Sequence, residues 1–313
     1  MTTILITGGA GFIAGALASR LAKNPEYRIV ILDSLITGSM SKVPNSEHDN
    51  VRFVLADANE PGVLANLFQE EKFDYVFHYA ALVGVKRTLD NPVSVLRDID
   101  GIKMLVELCC TYRVKRLFYS SSSEVYGEPV HVPQHELTTP LNSRLPYAIV
   151  KNLGEAFLRS YHKEFGLNYT VFRFFNTYGP FQSEDFVISR FIRAALNNQE
   201  ITVYGDGQQT RTFCFIDDNI EVTVKAFEEN KWVNDIVNVG SDLETTVLQL
   251  AQTIIRLAES NSSIIHLPAL EEGDMTRRQP DNSKMKAVLG KELIALEKGL
   301  LQVIEHYRSY VRN

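Results

Sequence analysis

Ile4-Leu5-Ile6-Thr7-Gly8-Gly9-Ala10-Gly11-Phe12-Ile13-Ala14 is the stretch on which the reading turns. Three apolar residues run into a glycine cluster, and the cluster runs into an apolar, helix-favouring segment through Leu21. That order predicts strand, tight turn, helix. In such a unit the N–H groups at the helix start point at whatever fills the turn, and the helix dipole favours an anion there. Gly8 and Gly11 stand where a side chain would block a pyrophosphate. Ala14 takes the place of a third glycine, where a small residue lets helix pack on strand. A second predicted strand, Arg28–Leu32, ends at Asp33, about 20 residues after the loop, where an acid that binds both ribose hydroxyls belongs. Without that context the same glycines read as an incidental loop in a βαβ unit.

The rest of the chain is consistent with a folded enzyme-sized globule. Its 313 residues are enough for one large domain or two, and 45% hydrophobic with 22% charged residues is ordinary for a buried core. A net charge of −6 argues against a generic nucleic-acid or anionic-membrane binder. The three cysteines, Cys109, Cys110 and Cys214, have neither metal-ligand spacing nor a disulfide pattern, and read as buried thiols of a reducing, cytoplasmic compartment. No metal site is expected. Asn261-Ser262-Ser263 fits a glycosylation sequon, but nothing else suggests secretion. Thr2–Ser19 is uncharged, yet its glycines break any continuous helix and it lacks a basic leader, so neither a signal segment nor a membrane span is expected.

Short apolar runs alternate with helical patterns through the first half. Strands are expected at Thr3–Thr7, Arg28–Leu32, Arg52–Leu55, Tyr75–Tyr79, Arg116–Ser120 and Tyr169–Phe174, with helices at Gly11–Ala22, Pro61–Glu70, Pro92–Tyr112 and Pro146–Phe165. Such alternation predicts an α/β fold, a Rossmann-type doubly wound parallel sheet with helices on both faces and ligands outside the carboxyl ends of its strands. Beyond Asn176 the rhythm loosens into Phe186–Asn197, Ile201–Tyr204, Phe213–Ile216, Asp217–Glu228, Ile236–Val239, Val247–Ala258 and Leu296–Tyr310. We expect a dinucleotide-binding domain over residues 1–176, to which 211–240 returns. A smaller discontinuous C-terminal lobe, 177–210 with 241–313, would bind the substrate. No Pro/Ser-rich linker separates them.

Tyr147 and Lys151 carry the candidate chemistry. Pro146 is a good first helical residue, and a spacing of four puts both side chains on one helical face. An ammonium beside a phenol stabilises the phenolate and makes tyrosine a usable base near neutral pH. Alone, a tyrosine and a lysine at this spacing are usually just surface. Upstream, Tyr119-Ser120-Ser121-Ser122-Ser123-Glu124-Val125-Tyr126-Gly127 directly follows a predicted strand, on the sheet edge that carries the glycine loop. The Ser122 hydroxyl is suited to share a proton with a substrate hydroxyl. Glu124 reads equally as a second base or as a solvated turn residue.

In these residues the chain resembles the extended short-chain dehydrogenase/reductase family, specifically its nucleotide-sugar epimerases, dehydratases and decarboxylases. The resemblance runs nearly end to end. It covers the glycine loop, Asp33, Asp57, His78-Tyr79-Ala80-Ala81, the serine cluster, and Tyr147 with Lys151. It continues through Arg173-Phe174-Phe175-Asn176-Thr177-Tyr178-Gly179-Pro180, Gly205-Asp206-Gly207 with Arg211 and Asp218, and Arg277-Arg278-Gln279-Pro280-Asp281. It implies NAD as cofactor: Gly8, Gly11, Phe12 and Ile13 at the pyrophosphate, Asp33 and Ser34 at the adenosine ribose, and Asp57 and Ala58 at the adenine. Ala80 and Ala81 would line the cofactor channel, and Lys151 would hold the nicotinamide ribose beside Tyr147. The acid at Asp33 disfavours a 2′-phosphate and so NADP. Asn176, Arg211 and Arg278 match positions that hold the diphosphate and ribose of a sugar nucleotide. Ser122, Glu124, Tyr147 and Lys151 are the implied catalytic set. A homodimer through Pro92–Tyr112 and Pro146–Phe165 is also implied.

The family's shared first step is oxidation of a sugar hydroxyl, here expected at C4. The ketone then leads to epimerisation, dehydration or decarboxylation. The alternatives are a UDP-glucuronate decarboxylase-type or a nucleotide-sugar 4-dehydrogenase activity: Ser122-Ser123-Glu124 and Arg278 also match UDP-glucuronate decarboxylases, whereas Leu82-Val83-Gly84-Val85-Lys86-Arg87 does not resemble the decarboxylase version of that loop. Lys86 or Arg87 reads as a partner for an acidic sugar or as plain surface. The competing class is a non-catalytic NAD-binding sensor, against which retention of Ser122, Tyr147 and Lys151 argues. One departure stands out: where the family often has Asn-x-x-Gly-Thr, this chain has Asp98-Ile99-Asp100-Gly101-Ile102.

Overall fold

The apolar run Ile4-Leu5-Ile6 forms the centre of a seven-stranded sheet in the computed structural model, which describes residues 1–44, 48–269 and 277–311, without the side chains of Val85, Lys86, Tyr310 and Val311. In chain order the first elements are β1 (Thr2–Thr7), α1 (Phe12–Leu21), β2 (Tyr27–Asp33), β3 (Val51–Leu55), α2 (Val63–Glu70) and β4 (Tyr75–His78). There follow α3 (Val85–Asp90), α4 (Pro92–Leu96), α5 (Asp98–Thr111), β5 (Arg116–Ser122), α6 (Pro146–Phe165) and β6 (Tyr169–Phe174). Then come β7 (Thr177–Tyr178), α7 (Val187–Leu196), β8 (Ile201–Tyr204), β9 (Thr210–Thr212), β10 (Cys214–Phe215), α8 (Ile216–Glu228) and β11 (Asp235–Val239). The chain closes with β12 (Glu244–Thr246), α9 (Val247–Ala258), β13 (Ile264–Leu267), α10 (Ser283–Leu289) and α11 (Leu296–Val311).

The sheet order is β11-β6-β5-β4-β1-β2-β3, and every pair from β6 to β3 is parallel. Strand order reverses where β1 meets β4, which opens a crevice at their carboxyl ends. This is the Rossmann-type architecture the alternation predicts. Side-chain period two divides the apolar residues between two faces. On one face Leu5, Val30, Val76, Leu117 and Val171 join Leu64, Phe68, Leu105 and Leu158 from the helices. On the other, Phe77 stacks on Phe118 with centroids 4.4 Å apart, and Phe227 of α8 meets both rings edge-on.

Two compact units result. One comprises Met1–Val125, Ser143–Phe174 and Ile220–Val237; the other comprises Tyr126–Asn142, Phe175–Asn219 and Asn238–Asn313. The second unit is built from two-stranded pairs: β8 with β13 in parallel, β9 with β12 antiparallel, and β7 with β10 in parallel. Its helix α9 opens on a capping box, in which Thr246 and Gln249 satisfy each other's backbone N–H.

Several elements depart from expectation. The helix expected over Pro92–Tyr112 is two helices, α4 and α5, joined at Arg97, where the Asp100 N–H bonds the Arg97 carbonyl in an i→i+3 turn. Residues 85–90 form a helix rather than a loop. The strand expected over Phe213–Ile216 is shorter, and β9 precedes it.

Helix α6 lies tight on β5. A Cβ at Gly154 would come 2.9 Å from Cε1 of the buried Tyr119 ring, and closer still to its hydroxyl. Alanine is the better helix former by about 1 kcal/mol, but overpacking a fixed ring costs about 1–3 kcal/mol. Gly154→Ala therefore lowers the melting temperature measured by scanning calorimetry. A melting temperature at or above the wild-type value would mean that the Tyr119 ring gives way freely.

Candidate active site

The glycine loop leaves β1 with no room for side chains. Gly8 has φ +72°, and a Cβ there would lie 2.7 Å from the Ala80 nitrogen. A Cβ at Gly11 would lie 2.9 Å from the Gly8 carbonyl oxygen, which already accepts the Gly11 N–H. Helix α1 then starts at Phe12 with no side-chain cap and no acid in its first turn. Its opening N–H groups, those of Phe12 and Ile13 included, therefore carry no competing anion, as a phosphate site requires. Ala14 is buried against the strand.

Asp33, at the end of β2, is buried and already structural. Its Oδ2 accepts the Ala10 N–H at 2.9 Å, and its Oδ1 accepts the Leu35 N–H at 2.7 Å. Ser34 follows it, half-buried. Gly38 packs on the carboxylate, since a Cβ there would stand 2.6 Å from Oδ1. Lys42 is near enough to feel it: burial pushes the Lys42 ammonium down and the charge of Asp33 opposes that. Sequence reasoning missed Gly38 and Lys42. At the end of β3, Asp57 Oδ1 caps the Asn59 N–H at 2.9 Å beside the buried Ala58. Past β4, Thr7 Oγ1 pairs with His78 Nδ1 at 2.8 Å and takes the Ala80 N–H at 3.3 Å, which fixes the turn carrying Ala80 and Ala81.

Lys151 is the centre of the polar arrangement. Its side chain is buried, its Nζ lies 3.4 Å from Ser120 Oγ, 5.7 Å from the Tyr147 ring centre and 5.1 Å from that of Tyr119. Burial pushes its ammonium down to about 8, while the charge of Asp98 pulls the other way. One turn further along α6, Glu155 takes Ser121 Oγ at 2.6 Å and Arg173 through two nitrogens at 2.9 and 2.7 Å. Consecutive serines of β5 are thus bound by consecutive turns of α6. Ser122 continues the Ser120 side of the strand, half-buried, and its Oγ accepts the Glu124 N–H at 3.2 Å. Glu124 sits half-buried in a 3₁₀ turn, Ser123–Tyr126. Asp98, Ser120 and Glu155 escaped the sequence reading as partners of Lys151 and its helix. The Asp at 98 was visible only as a departure from a pattern.

In the second unit, Asn176 Nδ2 donates to the Thr212 carbonyl at 3.0 Å, and its own carbonyl accepts the Cys214 N–H. Arg211, on β9, is buried and bonds the Thr210 carbonyl at 2.7 Å, one residue from the Thr212 carbonyl that Asn176 holds. Arg278 is buried in the segment that pairs with Gln134. The side chain of Lys86 lies outside the described residues, while Arg87 turns back to the Val83 carbonyl at 2.9 Å. Among the described residues, no three His, Cys, Asp or Glu side chains group as metal ligands, and no helix is long and apolar enough to cross a membrane.

The family model "NAD dependent epimerase/dehydratase family" matches residues 4–240. The chain belongs to that family. It is 34% identical to the UDP-N-acetyl-alpha-D-glucosaminuronate decarboxylase of Bacillus cytotoxicus, over 97% of both chains. It is 33% identical to a putative UDP-glucose 4-epimerase of Methanocaldococcus jannaschii, over 98% of both. Among solved structures it is similar to the UDP-glucose 4-epimerase of Thermotoga maritima with UDP-glucose, at TM-score 0.92 and 30% identity, covering 99% of this chain and 100% of that one. This NAD-dependent epimerase/dehydratase is accordingly an enzyme of the isomerase or lyase kind, and its cofactor is NAD. The residues fit that group, because the Gly8–Gly11 cradle and the uncapped start of α1 leave space and donors for a pyrophosphate.

Gly8→Ala tests the cradle. A non-glycine residue at positive φ costs about 1–2 kcal/mol, before its overlap with Ala80. NAD affinity measured by titration calorimetry is expected to fall by about tenfold or more, with a lower melting temperature. Unchanged affinity would show that the loop relaxes around the methyl.

Proposed function

We propose that this epimerase/dehydratase acts on a nucleoside diphosphate sugar, oxidises it transiently at C4, and then epimerises or dehydrates the keto sugar. The observation that carries the reading is the buried Lys151 ammonium, set between Ser120 and the Tyr147 ring on one face of α6. An ammonium there stabilises a Tyr147 phenolate by its charge. Tyr147 takes the proton of the sugar 4-hydroxyl, and Ser122 holds that hydroxyl with its own. Lys151 keeps the phenolate charged state favourable and offers donors to the ribose beside it. Gly8, Gly11, Phe12 and Ile13 hold the pyrophosphate of NAD by backbone N–H groups; Asp33, Ser34, Asp57 and Ala58 take its adenosine half, and Ala80 and Ala81 flank it. Bound NAD supplies a reversible hydride acceptor. In the second unit Asn176, Arg211 and Arg278 hold the substrate diphosphate and ribose, for which the arginine fork is suited.

A second reading is decarboxylation of a uronic acid sugar, whose C4 ketone would make the carboxylate a β-keto acid. It is favoured by Ser122-Ser123-Glu124, and by likeness to a sugar-nucleotide decarboxylase over 97% of the chain. Glu124 then serves as the acid that reprotonates the sugar carbon.

A panel of UDP-, GDP-, CDP- and dTDP-sugars incubated with the NAD-loaded enzyme and read by mass spectrometry and chromatography separates the outcomes. Unchanged mass with a new isomer means epimerisation; loss of water means dehydration; loss of carbon dioxide means decarboxylation. Tyr147→Phe lowers turnover by about a hundred- to ten-thousandfold. If no sugar is turned over while NAD still binds, the non-catalytic sensor is the better account.

The same reading includes a homodimer formed through α4, α5 and α6. Val93 and Leu96 of α4 and Ile149 of α6 are apolar and exposed, at 70%, 43% and 46%. A monomer by sedimentation at micromolar concentration would reject it. The free thiols of Cys109, Cys110 and Cys214 support a cytoplasmic location.

A further inference from the structure

We propose that Glu244 is a positioning residue for the substrate diphosphate, a yoke that fixes the spacing of Arg211 and Arg278 without touching the ligand itself. The proposal rests on the reading of those two arginines given above.

Arg211 and Arg278 come from distant parts of the chain, and two guanidinium groups repel one another. A diphosphate is bound well by the pair only if both forks already stand where its oxygens will lie. Strand β9 must therefore be tied to the segment around Arg278. The ribbon of β9 and β12 supplies one side of the tie. Its antiparallel register sets Glu244 opposite Thr212, Thr245 opposite Arg211 and Thr246 opposite Thr210. Side chains alternate along a strand, so Thr210 and Thr212 share the face of Glu244 while Arg211 lies on the other. Glu244 Oε1 accepts the Thr210 hydroxyl at 2.8 Å, across the diagonal of the ribbon. Arg211 is itself fixed to the Thr210 carbonyl at 2.7 Å.

The same carboxylate takes the other side. Its Oε1 accepts Arg277 Nε at 2.7 Å and its Oε2 accepts Arg277 Nη2 at 2.6 Å, a fork-on-fork pair. One peptide bond separates Arg277 from Arg278, and the chain beyond is anchored as well. Gln134 donates its N–H to the Gln279 carbonyl at 2.7 Å, and the Asp281 N–H returns to the Gln134 carbonyl at 2.8 Å. The Gln279 side chain donates to the Asp242 carbonyl at 3.0 Å. Arg278, buried, is thus held from both sides, and one carboxylate joins its upstream neighbour to the neighbour of Arg211. The hydrogen bonds from Arg277 hold the Glu244 carboxyl below its usual range; burial opposes them and the Thr210 hydroxyl adds to them. A bland account is available: Glu244 and Arg277 are partly exposed, and an exposed ion pair contributes little. The two accounts differ in whether the effect of Glu244 passes through the two arginines.

The test titrates UDP, GDP, CDP and dTDP into the NAD-loaded enzyme by calorimetry and follows the tightest binder. Glu244→Ala is expected to weaken that nucleoside diphosphate about tenfold, and Arg278→Ala about a hundredfold, with NAD affinity at its wild-type value. A yoke matters only while two arginines must be spaced. Adding Glu244→Ala to Arg278→Ala, or to Arg211→Ala, is therefore expected to weaken binding by no more than about twofold further. Wild-type affinity in Glu244→Ala overturns the proposal. So do factors that multiply in either double variant, the mark of a merely local loss of structure. Arg277→Ala cuts the yoke at its other end: it is expected to match Glu244→Ala, and the two together to be no worse than either. A loss in Arg277→Ala with none in Glu244→Ala would make Arg277 a ligand contact and overturn the yoke. If Arg211→Ala and Arg278→Ala both bind as wild type does, or if wild type binds no nucleoside diphosphate, the reading of the two arginines falls and takes the proposal with it. If both arginine variants weaken binding and Glu244→Ala does not, the proposal alone falls. Should Glu244→Ala fail to fold, Glu244→Gln, which keeps an acceptor for Thr210 and loses the charged fork, takes its place throughout.

Discussion

The buried carboxylate of Glu155 is the constraint on which the first unit's polar geometry depends. It joins three elements at once: α6, which carries it, β5 through Ser121, and β6 through the guanidinium of Arg173. Neither Glu155 nor Arg173 is exposed, so each would be intolerable without the other. A pair of this kind adds little net stability over an apolar core, but breaking it costs about 3–5 kcal/mol. Its value here is register. Parallel pairing sets Ser121 opposite Arg173, and a slip of either strand by one residue would turn its member of the pair to the other face. Lys151 and Tyr147, one and two turns before Glu155 on α6, are thereby fixed against Ser120.

Two opposing terms meet at Lys151. Water exclusion makes its ammonium expensive, and only charge or hydrogen bonding can offset that. Ser120 offers one long contact at 3.4 Å. The two ring faces of Tyr119 and Tyr147 add cation–π attraction, about 0.5–2 kcal/mol each. The charge of Asp98 also opposes the effect of burial. A neutral His78 suits the site, since a second cation there would compound the cost.

Much of this was legible in the chain, and the reason differs from place to place. The strand-loop-helix at Ile4–Leu21 is local, and its chemistry needs glycine at fixed steps, so both fold and cofactor could be read from it. The spacing of Tyr147 and Lys151 is likewise a property of one helix. Glu155 meets Arg173, Gly38 meets Asp33 and Asp98 meets Asn59, 18, 5 and 39 residues away in sequence, and no local pattern announces such pairings. Gly38 reads as a turn glycine until Asp33 is seen packed on it. The pairing of β8 with β13 joins segments about sixty residues apart, which is why β13 had no signature of its own. The break at Arg97 was hidden because apolar periodicity continues across it, while only the backbone bond from Asp100 marks the join.

Asp33 shows why residue type alone undersells such a position. A carboxylate has roughly four lone-pair directions. Two are occupied by the Ala10 and Leu35 N–H groups, which pin the glycine loop and the turn after β2 to one another. Two remain, and on the proposed reading they take the vicinal hydroxyls of a ribose, which a neutral amide would not satisfy at both oxygens. The same charge would repel a phosphate ester at either hydroxyl, with Lys42 a cation that interacts with it and softens that repulsion. The acid thus shapes its own pocket before any ligand arrives. On the proposed reading, selectivity for an unphosphorylated ribose follows from that structural role, because the loop that would hold the pyrophosphate depends on the carboxylate that would exclude the extra phosphate.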